Sequence, residues 1–315
     1  MLPESTKADS GPTFYVLTPT YNRAKCLLDA IDSVRNQSYA DWYLFILDDG
    51  SSDETPQILE RFGANPKIHT WRFDVNRGVN AARNFLLERI LDRKKDGFVV
   101  ILDDDDRLEK DFLSRFARAA LEAPSARWFI ANCLYPNGSP ITVVRGGSEP
   151  LCYVRDHKLG KRLSGDVAHV FHTSIIGDTR FSDAFANAEE WWFYAGIAER
   201  SMMYPVDFHA KTQEYLDDGL TVSQPNKGQD ARVYSLKLER FDRFLSQRQR
   251  ASLEARLGRH LYARGDRRGG LRQIWLAFCH WPLEPRIYQY VLEIPLRLLM
   301  RMLRSRASVT DSGSP

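Results

Sequence analysis

From Phe14 to Ala131 the chain alternates two hydrophobic periods. Short apolar runs at Phe14–Leu17, Trp42–Leu47, Ile68–Phe73, Phe98–Leu102 and Arg127–Ala131 read as strands. Between them lie segments whose apolar residues recur at helical spacing. Residues 24–37 place Leu27, Leu28, Ile31 and Val34 on one face, and 79–91 do the same with Val79, Ala82, Leu86 and Ile90. Two further helices are predicted, one beginning near Glu54 with Asp53 as cap and Pro56 in its first turn, and one from Asp111 to about Leu121. This alternation predicts an α/β fold with a mostly parallel, Rossmann-like sheet and helices on both faces. Ligands of such sheets bind beyond the carboxyl ends of the strands. Both acidic stretches, Asp48-Asp49 and Asp103 to Asp106, fall at such ends.

Past Ala131 the pattern loosens. Residues 132–187 carry Gly and Pro clusters and irregular short runs, 188–200 read as an aromatic-rich helix, and Met202 to Val206 as a last strand with His209 just beyond it. After Gln224-Pro225-Asn226 the chain becomes Arg- and Leu-rich and helical in period, with breaks predicted at Gly265, Gly269-Gly270, Pro282 and Pro285. The expected organisation is a sheet domain over 13–228 and a basic helical C-terminal region over 229–306, with disordered segments at 1–12 and 307–315.

Composition narrows the class. Apolar residues at 43% and charged residues at 27% exclude a disordered chain, a collagen-like fibre and a disulfide scaffold. Cys26, Cys133, Cys152 and Cys279 form no CxxC pair, which fits reduced thiols. The opening residues lack the apolar core of a secretory signal, and a cytoplasmic location is expected. The net charge of +3 conceals an asymmetry: residues 231–306 hold 17 Lys+Arg against 6 Asp+Glu. Within them, residues 285–306 place Ile287, Val291, Ile294, Leu298 and Met302 on one side, with Arg286, Arg297, Arg301, Arg304 and Arg306 supplying charge. Too charged to span a bilayer, this segment suits a helix lying on an anionic membrane, peripheral on the cytoplasmic face of the inner membrane. The competing reading packs its apolar side on the protein itself. No nucleic-acid recognition motif accompanies the basic residues, so no nucleic-acid partner is expected.

The chemistry-bearing residues are mostly acids. Four adjacent carboxylates at Asp103–Asp106 repel one another, and hard oxygen ligands of this kind suit Mg²⁺ or Mn²⁺ shared with substrate phosphates. A solvated acidic loop with Asp106 or Asp111 capping the next helix is the alternative, but the position of the run after the apolar strand Phe98–Leu102 favours the metal reading. Asp48-Asp49 suits a ribose or base contact, or else plain turn chemistry. Asn76-Arg77-Gly78 precedes a helix carrying Arg83 and Asn84, from which an arginine can reach a pyrophosphate. Glu189-Glu190 opens the aromatic helix, either as a general base flanked by Trp191 and Trp192 or as acids satisfying a helix start. Asp183 is a more distant candidate for the base. His209 is a candidate for completing a metal site, although a lone histidine is more often structural.

In this order the pieces resemble family 2 glycosyltransferases of the GT-A fold, of the inverting type that builds bacterial cell-surface polysaccharide. Val16-Leu17-Thr18-Pro19-Thr20-Tyr21-Asn22-Arg23 resembles the opening strand-loop, and Leu47-Asp48-Asp49-Gly50-Ser51-Ser52-Asp53 the second motif. Asn76-Arg77-Gly78 with Ala81-Ala82-Arg83-Asn84 resembles the third, Asp103-Asp104-Asp105 the DxD metal motif, and Glu189-Glu190-Trp191 the acid pair. The resemblance implies that Pro19 and Tyr21 line the nucleotide pocket, that Asp49 bonds the base, and that Arg83 lies near the nucleotide. It further implies Asp103 facing the ribose, Asp105 holding the divalent cation and Glu190 as the base; Asp103 and His209 are the further candidate ligands of that cation. The acid pair is Glu-Glu where the family commonly has Glu-Asp, and Tyr215-Leu216-Asp217-Asp218-Gly219 lacks the Arg and His that many relatives carry there. The expected reaction moves a sugar from a nucleotide-diphosphate sugar, UDP by family frequency, to a hydroxyl of a saccharide or lipid-linked acceptor in polysaccharide or lipopolysaccharide synthesis. Alternatives are a non-catalytic nucleotide-sugar or glycan-binding protein, or a nucleotidyltransferase. The latter is disfavoured by the absence of glycine from Thr18–Asn22, and a P-loop enzyme is excluded by its missing motif.

Overall fold

The computed structural model describes residues 11–145, 148–160, 162–182, 190–213 and 231–292. The chain divides into two units, Met1–Gln224 and Pro225–Pro315.

The first unit is built on an eight-stranded sheet. Its elements in chain order are β1 (Phe14–Thr20), α1 (Ala24–Arg35), β2 (Trp42–Asp48), α2 (Thr55–Glu60), β3 (Ile68–Arg72), α3 (Val79–Leu91), β4 (Phe98–Ile101), β5 (Asp106–Leu108), α4 (Phe112–Glu122) and β6 (Trp128–Leu134). The small pair β7 (Val143–Val144) and β8 (Leu163–Ser164) follows, then β9 (Val167–His172), α5 (Trp191–Ile197) and β10 (Tyr204–Gln213). The order across the sheet is β3-β2-β1-β4-β9-β6-β10-β5. Strand β9 runs antiparallel to β4 and β6, and β5 antiparallel to β10, while the other six strands share one direction. This is the mostly parallel α/β sheet of a GT-A fold.

Strand β1 is buried along its whole length, as a central parallel strand covered on both faces must be. Phe14 and Val16 face a core shared with Leu27, Ile31 and Val34 of α1, Ile58 of α2 and Phe112 and Phe116 of α4. Tyr15 and Phe45 face the other way, where Phe45 and Trp71 stack and Trp71 meets Phe85 of α3 edge-on. Pro19 is accommodated deep in β1 by the direction of its neighbours. The Leu17 carbonyl accepts from Leu102 on the β4 side, and the Thr20 carbonyl from Asp49 on the β2 side. By strand alternation the N–H that Pro19 lacks falls on the β4 side, and β4 has already ended at Ile101.

Three expectations are corrected here. The last strand is Tyr204–Gln213 rather than Met202–Val206; it continues past irregular pairing near His209 because β6 on one side and the short β5 on the other supply partners. That puts His209 inside the strand. The four aspartates are not one loop either, since Asp106 already pairs with Gln213 at the start of β5.

The second unit contains α6 (Ala231–Arg240), α7 (Gln247–Ala263), α8 (Arg267–His280) and a helical stretch at 285–292. Ser246 and Gln249 form a reciprocal capping box at the start of α7. Gly265 ends α7 with φ +101°, but Gly269-Gly270 is not a break: both residues lie inside α8. A Cβ on Gly258 would sit 2.7 Å from the Gly270 carbonyl oxygen, and one on Gly270 would sit 2.7 Å from that of Gly258. These glycines let two helix backbones touch, which outweighs their low helix propensity. Ala251, Ala255, Ile274 and Ala277 fill the core beside the crossing.

Candidate active site

The strand order changes direction of growth between β1 and β4, with β2 and β3 added on one side and β4 on the other. A crevice forms at the carboxyl ends of such strands, and three loops meet there.

The loops after β1 and β2 are stitched together. Asn22, with φ 54°, donates its N–H to the Ser51 hydroxyl at 2.8 Å, and its side-chain oxygen accepts from the Ser52 N–H at 2.8 Å. Asp53 accepts from the N–H of Ala24 and of Thr55, so it serves the starts of both α1 and α2. Those bonds hold its carboxyl below its ordinary range against the opposing effect of burial. Asp48 is fully buried, accepts from the Ser51 N–H at 2.8 Å and lies 3.4 Å from Arg72.

Asp49 clamps the third loop. One carboxylate oxygen accepts from the Arg77 N–H and the other from the Gly78 N–H, each at 2.8 Å. The approach is close: a Cβ on Gly50, whose φ is +78°, would lie 2.8 Å from the Val75 carbonyl carbon. Asp49 therefore fixes the loop that opens α3. Tyr21 stands exposed at the mouth of the crevice.

Arg83 is the centre of the site. It is only 2% exposed, and its Nη2 lies 2.7 Å from Asp103 Oδ1 and 2.7 Å from Glu190 Oε1. The side chains of Asp103 and Glu190 keep 37% and 30% exposure, so both acids reach the crevice. Burial opposes the charge on Arg83, and the two carboxylates more than offset it, holding its pKa above the usual arginine value. Asp103 sits below the ordinary carboxylate range, with burial opposing and Arg83 and Lys211 prevailing. Glu190 is held above its ordinary value by burial and by Asp103, against the pull of Arg83. Arg83 Nε and Nη1 are buried with no hydrogen-bond partner among the described residues. Beside Arg83, Asn84 takes the backbone of Phe181 in both directions, accepting from its N–H at 2.8 Å and donating to its carbonyl at 2.9 Å. The Arg83-Asn84 pair thus ties α3 to the acidic loop, to Glu190 and to Phe181.

The acidic run splits into different roles. Asp106 pairs with Lys211 Nζ at 2.6 Å in a buried contact. Asp104 lies 4.0 Å from Arg23, and burial pushes its carboxyl up to about 7. Asp105 is pushed up to about 7 by burial and by the charges of Asp103 and Asp106. Burial first, and then the neighbouring carboxylates, oppose the charge on these acids; their hard oxygens are of the donor type that divalent cations take. Among the described residues no group of three or more His, Cys, Asp or Glu side chains is placed to hold a metal ion. His209 does not join the acids: it is exposed on β10, next to Asn132 of β6 in the ladder. Glu189, Asp183 and Tyr215–Gly219 lie outside the described residues.

Two functional neighbours escape sequence reading. Lys211 is one lysine in a strand of mixed character, and nothing in its neighbourhood announces Asp106, 105 positions away. Behind Glu190, on the same helix, Tyr194 lies 3.9 Å centre to centre from His169, which accepts from the Trp128 indole N–H at 3.2 Å. Only the aromatic richness of 190–194 hints at this packed support.

Residues 15–169 match the family described as Glycosyl transferase family 2. These residues form a domain of that family. Among curated proteins, the chain is 33% identical over 144 residues to TuaG of Bacillus subtilis, named as a teichuronic acid biosynthesis glycosyltransferase; the match covers 45% of this chain and 56% of TuaG. It is 28% identical over 186 residues to the GalNAc(5)-diNAcBac-PP-undecaprenol beta-1,3-glucosyltransferase of Campylobacter jejuni, covering 56% of this chain and 57% of that one. The chain therefore spans little more than half the length of these relatives. Its fold is that of S. aureus TarS: a structure of TarS 1-349 in complex with UDP-GlcNAc superposes with a TM-score of 0.56 at 19% identity, covering 79% of this chain and 71% of that one. No helix among the described residues is long and apolar enough to cross a membrane.

Proposed function

We propose that the protein transfers a sugar, with inversion at the anomeric carbon, from a UDP-sugar to a hydroxyl of a saccharide or lipid-linked acceptor in the synthesis of a cell-surface polysaccharide. The observation that carries this reading is the Arg83 bridge, which holds an acid of the DxD run and the acid opening α5 against one guanidinium at the switch point of the sheet. Direct displacement needs two things that such an arrangement supplies. The leaving diphosphate must be stabilised, and the attacking hydroxyl must lose a proton. Asp105 and Asp103 would hold a Mg²⁺ or Mn²⁺ ion, which when bound supplies charge stabilisation for the departing nucleotide diphosphate. Tyr21 offers a ring face to the base and Pro19 shapes the floor. Asp49, already committed to two backbone N–H groups, can still accept from a base N–H through remaining lone pairs. Glu190 takes the acceptor proton; its raised pKa makes it a stronger base than an ordinary surface glutamate while its contact with Arg83 fixes its position. The undecaprenol-linked acceptor in the name of the Campylobacter relative supports the lipid-linked class.

The test is transfer and hydrolysis of a panel of UDP-, GDP- and dTDP-sugars with Mn²⁺ or Mg²⁺. The expected result is turnover of a UDP-sugar that chelator abolishes. Glu190→Gln should lower kcat by at least about a hundredfold with little change in donor binding, as loss of general base catalysis does. Full activity of Asp105→Asn, or a normal Glu190→Gln with an inactive Glu189→Gln, would overturn the assignment of metal or base respectively.

A further inference from the structure

The second unit carries an apolar stripe that its own packing does not use. Helix α8 turns Gly270, Ile274 and Ala277 inward. At 3.6 residues per turn, Leu271, Trp275 and Phe278 then share a flanking face, about 100° round the helix from the inward side. Leu271 is 51% exposed and Trp275 63%, and the rings of Trp275 and Phe278 stack with centres 5.7 Å apart. Scattered exposed apolar residues are ordinary, but a contiguous aromatic patch marks a contact surface. Its borders are cationic. Arg267, Arg268 and Arg272 are exposed, no ion pair among the described residues involves them, and no Asp or Glu occurs from Arg267 to Leu283.

We infer that this face of α8 is the surface by which the protein docks on an anionic phospholipid membrane, lying in the interface rather than crossing it. Aromatic rings at headgroup depth, flanked by arginines with no acid among them, complement an anionic lipid surface. A second copy of the chain is the poorer fit, because a symmetric contact through this stripe would bring together two cationic borders with no acid between them. The surface differs from the one expected from sequence, 285–306: exposed Tyr288, Val291 and Leu292 extend the apolar character into 285–292, and 293–306 lie outside the described residues. The inference does not depend on the donor chemistry, so either can fail alone.

Flotation of the full-length protein with vesicles of phosphatidylcholine, alone or mixed with phosphatidylglycerol, at low and high salt, tests it. Binding is expected only with phosphatidylglycerol, weakening with salt. Arg268→Gln and Arg272→Gln should each weaken it about fivefold, since a basic residue near such a surface contributes about 1 kcal/mol. Trp275→Ser with Phe278→Ser should lower affinity more than about tenfold by removing the buried apolar area. It should also abolish quenching of tryptophan fluorescence by brominated lipid, with an unchanged unfolding midpoint because both side chains are exposed. If that pair of changes disturbs folding, the arginine variants still decide the matter. Failure of the full chain to float, or unchanged binding in both sets of variants, overturns the inference. So does a dimer that the Trp275 and Phe278 changes dissociate while vesicle binding persists.

Discussion

Replacing Arg83 by methionine removes the cation that Asp103 and Glu190 share while keeping a side chain of similar length. The cost follows from the geometry. Breaking a fully buried ion pair costs about 3–5 kcal/mol because a charge is left stranded. Here the stranded groups are the two acids, each roughly a third exposed, so water takes up part of the loss, and Arg83's own desolvation is relieved. About 2 kcal/mol remains, which in a domain of this size lowers the unfolding midpoint by about 4–8 °C. Adding Glu190→Gln to the variant removes one of the two opposed charges and should return about 1 kcal/mol, a coupling that a double-mutant cycle reads directly. Arg83→Lys should fall between, because a compact ammonium cannot serve both acids as a guanidinium does.

The same substitution has a kinetic signature. In the proposed role of base Glu190 works only when deprotonated, so turnover should rise with pH through its pKa. That pKa is already above the ordinary value, and Arg83 is what restrains it. Without Arg83, Asp103 continues to oppose ionisation, and the acidic limb of the kcat/KM profile should move to higher pH. The assay is transfer to acceptor across the acid range, paired with thermal unfolding of the same samples. An Arg83→Met protein with an unchanged midpoint and an unchanged acidic limb would refute the bridge.

Three further outcomes follow from separate parts of the molecule. Lys211→Met leaves Asp106 buried without its cation and should destabilise the first unit by about 3 kcal/mol, seen as an earlier denaturant midpoint with the slope unchanged. Gly258→Val drives a branched side chain into the Gly270 backbone and should unfold or loosen the second unit, costing more than about 2 kcal/mol by overpacking, with circular dichroism and the thermal midpoint as readouts. His157, whose pKa is pushed down to about 4 by burial and Lys158, stays neutral in the fold while the unfolded chain takes its proton near pH 6.5. Its contribution is therefore present above that pH and is lost as pH falls towards 4, by up to about 3 kcal/mol. Asp104 and Asp105, raised to about 7, act in the opposite sense, losing stability as pH rises from their ordinary value. The histidine's share is accordingly read as the difference between the parent and His157→Gln, which should shrink on acidification.

What was legible in the sequence follows from how local each determinant is. The helix at 79–91 is expected and found at the same bounds because its burial rests on Ala82, Leu86 and Ile90, an i, i+4, i+8 pattern contained in one segment. The loops after β2 and β4 were readable as a candidate site because strand ends carry ligands in any such sheet, wherever the side chains point. Reversed strands were not readable. Strand β9 sits between β4 and β6 as an antiparallel insertion, and its Val167, Ala168, Val170 and Phe171 look like those of any buried strand.

The division of labour among the aspartates was least legible of all, and the reason is physical. Four identical side chains at Asp103–Asp106 carry no local mark of difference; each acquires its character from a partner distant in sequence. Arg83 takes Asp103, Lys211 takes Asp106, and Arg23 stands near Asp104. What remains is Asp105, crowded by two neighbouring charges and held up to about 7. A run that reads as surplus charge thus becomes, once its ends are neutralised by cations, a turn whose two middle carboxylates are held above their ordinary range, chiefly by burial. The glycine pair in α8 makes the same point from the other side. Gly270, which weakens a helix in isolation, is kept inside one because Gly258, on another helix, leaves room for nothing larger, while Gly269 makes way for the capping side chain of Asp266.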